Sequence, residues 1–129
     1  MSDVVGRMLR LAQSLPKTRV RSLLQNQSAG QRLIAYTHIY ARPDAEFLSE
    51  LVRCVTKREQ SQWGQFWGIE AIKRVVQLRP DITDAESQGL LEDFVTKLPQ
   101  SSARYSELSR ILVGLRSSKP SVTRKKSTQ

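Results

Sequence analysis

Apolar side chains recur every three to four residues along most of this chain, and strict strand-like alternation is absent. The pattern predicts up to seven helices. The first covers about 3–15, with Val4, Val5, Met8, Leu11, Ala12 and Leu15 at helical spacing before Pro16. A short second helix, about 18–26, offers Val20, Leu23 and Leu24. Ser28 to Gln31 has the form of a capping box and opens a third helix, which Pro43 stops near Ala41. Asp44 caps a fourth, whose face is Phe47, Leu48, Leu51, Val52 and Val55. Ser61 caps a fifth that runs to Leu78, before Pro80. Thr83 to Glu86 reads as a second capping box, opening a sixth helix with Leu90, Leu91, Phe94, Val95 and Leu98. Ser101 or Ser102 opens the last, with Tyr105, Leu108, Ile111, Leu112 and Leu115.

Links of a few residues turn consecutive helices back on one another. The fold class expected is therefore all-α: an antiparallel helical bundle, or a short HEAT-like helical-repeat stack, of 6–7 helices. Arg42-Pro43-Asp44 and Arg79-Pro80-Asp81 each join two helical patterns, a loose internal echo with a spacing near that of a two-helix repeat. Three regions follow: a basic amphipathic N-terminal segment (1–27), a helical core domain (28–116) and a basic tail (117–129). The tail has no apolar face and is expected to be disordered.

The fifth helix holds both tryptophans. On a wheel of 100° per residue, Gly64, Trp67, Gly68, Ala71, Ile72, Val75, Val76 and Leu78 share one arc. Gln62, Glu70, Lys73, Arg74 and Gln77 share the other. A helical glycine costs ~1 kcal/mol against alanine, so Gly64 and Gly68 imply close approach of a neighbouring helix. Trp63 and Phe66 fall towards the polar arc beside Glu70, Lys73 and Arg74. They are either covered by the N-terminal helices or form, with those three charges, a partner-binding patch.

Charge changes the picture next. The chain of 129 residues carries a net charge of +9. Residues 29–115 are balanced, so the whole excess lies at the two ends. Arg7, Arg10, Lys17, Arg19, Arg21, Arg124, Lys125 and Lys126 are thus the candidate contacts of an alternative reading, a small nucleic-acid-binding accessory protein. Aromatic residues are missing from both arms, which weakens base stacking.

Chemistry is sparse. His38 has no marked carboxylate or nucleophile beside it and is expected at a helix surface. Cys54 is the single cysteine, which excludes an intramolecular disulfide and a Cys-rich zinc site; a buried structural thiol is expected. Glu46 and Glu50 are expected to pair with Arg53 and Lys57 on their own helix. No Walker, nucleophile-elbow or metal pattern occurs, so no cofactor, metal or catalytic residue is assigned and a non-enzymatic role is expected. No apolar run reaches the ~20 residues of a membrane span, and a cytoplasmic location is expected.

Residues 28–78 resemble bacterial effector-associated helical modules. Ser28, Gly30 and Arg32 open a helix. Ala35, Pro43, Leu51, Phe66 and Ala71 sit at the matching places beyond it. The resemblance implies a HEAT-like adaptor, found beside protease or TIR effectors in bacterial conflict systems, that recruits a protein partner. No effector domain accompanies it here, and the basic ends are not part of the pattern.

Overall fold

The computed structural model describes residues 15–118, and among these every regular element is helical. Six α-helices follow one another: α1 (Lys17–Leu24), α2 (Ala29–Ala41), α3 (Leu48–Arg53), α4 (Gln62–Leu78), α5 (Ala85–Thr96) and α6 (Ala103–Ser118). A 3-10 turn, Ala45–Phe47, leads into α3, and a π turn, Cys54–Arg58, continues it. A second 3-10 turn, Pro80–Ile82, joins α4 to α5. The helix expected over 3–15 lies outside the described residues. So does the tail from residue 119, and α6 runs two residues further than the boundary expected at 116.

Helix starts follow from side-chain caps that accept orphan N–H groups. Ser28 Oγ accepts from Gln31 N–H at 3.4 Å. The other half of the expected capping box is not made by Gln31; Ser28 N–H donates to Asn26 Oδ1 at 2.8 Å instead. Ser61 Oγ accepts from Gly64 N–H at 3.1 Å, and Ser102 Oγ from Tyr105 N–H at 3.1 Å. The cap of α5 is Asp84, not Thr83: its carboxylate accepts from Ser87 N–H at 2.7 Å. An ionised oxygen at a helix N-terminus is the stronger cap. The same backbone hydrogen bond holds the Asp84 carboxyl below the usual carboxylate range.

Both Arg-Pro-Asp sequences stop a helix in the same way. Arg42 (φ −133, ψ 78) and Arg79 (φ −141, ψ 77) leave the helical region because proline follows. Each N–H still closes the last turn, onto His38 O at 2.8 Å and Val75 O at 2.9 Å.

Packing arranges the helices in two layers. In one, α4 packs against α2 on one side and α6 on the other; in the second, α3 packs on α5 and more lightly on α1. Consecutive helices α1–α2, α3–α4 and α5–α6 pack as hairpins between the layers. Each helix thus contacts its sequence neighbour and the next but one, the order of stacked helical hairpins. The two Arg-Pro-Asp stops lie between hairpins rather than within them.

The core follows the predicted stripes. Phe47, Leu48, Leu51, Val52 and Val55 are all buried, as are Trp67, Ala71, Ile72, Val75 and Val76 of α4. Leu78 is a correction: it is 57 % exposed, at the last residue of its helix. Ile69, left off the apolar arc, is fully buried. Gly68 makes room for the preceding turn, because a Cβ there would collide with a Val55 methyl. His38 is buried rather than on a surface, because α2 is enclosed along most of its length. The expected pairing within the fourth helix is also corrected. Glu46 pairs with Lys17 at 2.7 Å and Glu50 with Arg21 at 2.9 Å, both on α1, while Arg53 reaches Glu86 on α5 at 3.0 Å. The layer places oppositely charged helices on both flanks of α3, so these residues pair across helices.

Candidate functional site

The start of α4 is fixed by a buried polar cluster. The π turn closes with Glu59 N–H donating to Cys54 O, five residues back, at 2.9 Å. The extra residue swings the Glu59 side chain inward, where it is fully buried. Its Oε1 accepts from Arg32 Nε at 2.8 Å and from Tyr36 OH at 2.7 Å. Its Oε2 accepts from Arg32 Nη2 at 3.3 Å and from Ser61 N–H at 3.3 Å. Arg32 Nη1 then donates to the Asn26 and Gln27 carbonyls, both at 2.9 Å. Gly64 is required here too: a Cβ would lie 2.5 Å from the Glu59 carboxyl carbon.

Each partner in this cluster is satisfied, so two buried charges are tolerated. Burial alone pushes the Glu59 carboxyl up, but hydrogen bonds from Arg32 and Tyr36 outweigh it and leave it below the usual carboxylate range. Burial also pushes up the Tyr36 hydroxyl and the Cys54 thiol. Cys54 Sγ lies 3.1 Å from Tyr36 OH and donates to Leu24 O at 3.2 Å. A buried, protonated thiol is a poor nucleophile. Cys54 is therefore expected to react with DTNB only as fast as the fold opens, and at full rate once unfolded; fast labelling of the folded chain would contradict this. The cluster ties α1, α2 and α4 together, and its four acceptor positions on Glu59 are all used. It holds the frame rather than a ligand.

The face above this frame is the outer side of α4, between α2 and α6. Trp63 is 48 % exposed. Phe66 is half-buried and meets Trp67 edge-on, with ring centroids 5.6 Å apart. Trp67 meets Tyr40 of α2 edge-on at 5.5 Å, and the Arg74 guanidinium lies 4.5 Å from the Tyr40 ring centroid. On the other side Lys73 bonds Glu70 at 3.1 Å and Glu107 of α6 at 2.8 Å. The Glu107 bond, followed by that of Glu70, raises the Lys73 pKa. Of the five residues expected in a patch, Trp63 is the exposed one; Arg74 and Lys73 are held by α2 and α6, Phe66 packs partly on the core, and Glu70 pairs with Lys73 on its own helix.

A groove of about 460 Å³ runs beside this face between α4 and α6. Lys73, Val76, Gln77 and Pro80 line one wall. Glu107, Arg110, Ile111 and Gly114 line the other. The sequence pattern assigns Val76 and Ile111 only to the core; the groove emerges from the spacing of the two helices.

The basic residues of the nucleic-acid reading divide. Lys17 is held by Asp44 and Glu46, and Arg21 by Glu50, with its guanidinium 5.1 Å from the Phe47 ring centroid. Arg19 is exposed. Arg7, Arg10, Arg124, Lys125 and Lys126 lie outside the described residues. Among the described residues no group of three His, Cys, Asp or Glu side chains is placed to hold a metal ion, and no helix is long and apolar enough to cross a membrane. No protein-family model matches this chain, and no curated protein or solved structure shows significant similarity to it.

Proposed function

We propose that this chain is a non-enzymatic protein–protein interaction module, an adaptor of the effector-associated or defence type that residues 28–78 resemble. One observation carries the reading: Trp63, half exposed, stands near the start of α4, a helix whose later charges Arg74 and Lys73 are held in place by α2 and α6. A rigid face with a protruding tryptophan suits partner recognition, because large rigid aromatics give contact area at little entropic cost. A stacked helical fold offers one layer as its binding surface. The alternative, nucleic-acid binding through the basic ends, draws less support, since Lys17 and Arg21 already neutralise acids of the next hairpin.

Affinity capture from the native host, with and without nuclease, tests this. A single protein partner that survives nuclease is expected. Trp63→Ala is expected to change stability by no more than about 1 kcal/mol, as for other exposed sites, yet to weaken that partner about tenfold or more. Recovery that vanishes with nuclease, together with a gel shift that weakens steeply with salt, would sink the reading.

A further inference from the structure

We propose that residues 3–14 pack, as a further helix, along the side of α2 that faces away from α4, and so close this edge of the stack. One stripe of α2 meets α4 and the turn before it. Arg32 and Tyr36 bond Glu59, and Tyr40 meets Trp67 and Arg74. The end of α1 lies towards the same stripe, since Cys54 touches Tyr36 and donates to Leu24 O. Ile34, His38 and Ala41 fall roughly opposite Tyr36 at 100° per residue. Among the described residues, the helices that pack most on α2 are α4 and α1. The side of Ile34, His38 and Ala41 would then face water. Instead His38 is 6 % exposed, and Ile34 and Ala41 are half-buried. A helix enclosed all round needs a neighbour on every side, so this side has a cover.

The chain itself supplies an occupant of the right length at the right end. Lys17, at the start of α1, pairs with Asp44 at 3.3 Å and with Glu46 at 2.7 Å, just beyond the last turn of α2. Leu15 already packs partly on the core. The preceding segment therefore enters at the C-terminal end of α2. As a helix, residues 3–14 span ~18 Å, against ~20 Å for the 13 residues of α2. Laid back from that end, the segment runs in the same direction as α2, with Ala12 near His38 and Met8 near Ile34. Val4, Val5, Met8, Leu11, Ala12 and Leu15 form its apolar arc, and Arg7 and Arg10 fall on the remaining, solvated arc. A second copy or a separate partner competes poorly for this side, because a segment on a short tether acts at an effective concentration of roughly millimolar.

Photocrosslinking of the full chain tests the placement. With p-benzoylphenylalanine in place of Met8, irradiation is expected to join position 8 to residues 30–41 of the same chain, in a product of monomer mass. Crosslinks to α4 or α6, a product of dimer mass, or no crosslink within the chain would each overturn the assignment. Amide exchange gives a second readout. Leu11→Asp, on the apolar arc, is expected to speed exchange of residues 30–41 about tenfold or more, while Arg10→Asp changes it less than about twofold. If Leu11→Asp unfolds the whole chain, Leu11→Ala against Arg10→Ala is expected to show the same contrast at severalfold amplitude. Equal effects of the apolar and the basic substitution would contradict the proposal.

Discussion

Glu59→Ala is expected to cost about 3–5 kcal/mol, because it strands the buried Arg32 guanidinium and removes the acceptor of Tyr36. A domain of this size has roughly 5–15 kcal/mol in total, so the melting temperature should fall on the order of 10–20 °C. Glu59→Gln keeps the shape and loses the charge, and should fall between wild type and alanine. Acid gives an independent reading of the same pair. The folded-state pKa of Glu59 lies below the ordinary one, so its contribution is complete above the ordinary carboxylate value of ~4.3 and is lost as pH drops through the folded value. Wild-type stability should therefore decline more steeply below about pH 4.3 than that of Glu59→Gln. A loss below about 1 kcal/mol for Glu59→Ala, the level of a surface pair, would mean that the cluster does not lock α2 to α4.

Gly68→Ala should destabilise by about 1–2 kcal/mol, although alanine is the better helix former by ~1 kcal/mol. The added methyl would occupy the space of a Val55 methyl, and Val55 is β-branched and fully buried, so it has little freedom to yield. Val55→Ala alone opens a cavity and also destabilises. The double variant should recover at least about 1 kcal/mol relative to the sum of the two, since one change fills the space the other vacates. Strict additivity by chemical denaturation would show that the two residues do not compete for that space.

Much of the fold is written locally. The stripes of α3, α4 and α6, the serine caps and the proline stops are each set by a few adjacent residues, and the cost of two helical glycines marks close approach, although at Gly64 the neighbour is the Glu59 carboxylate and not a helix. Glu59 was hidden for a physical reason. It follows Lys57 and Arg58, where an acid reads as solvated, and only the π turn rotates it into contact with Arg32, twenty-seven residues away. Arg32 and Tyr36, one turn apart on α2, were the available hint, but spacing does not name their partner. The ion pairs of α3 were misplaced for the same reason: helical spacing sees neighbours on one helix, whereas the layers bring α1 and α5 alongside. The patch at Trp63, Phe66, Glu70, Lys73 and Arg74 was legible as the polar arc of one helix. Which member protrudes depends on the spacing of α2 and α6, which the sequence does not print. The groove is likewise a property of two helices and has no signature in either alone.

The most direct test of the interaction face is a hydrogen-exchange footprint of the full chain with and without its captured partner. Protection concentrated in residues 62–78 and 103–118, with residues 17–24 unchanged, is the predicted result. Protection centred on residues 17–24, or none along α4, would contradict the assignment of the α2–α4–α6 layer as the surface a partner reads.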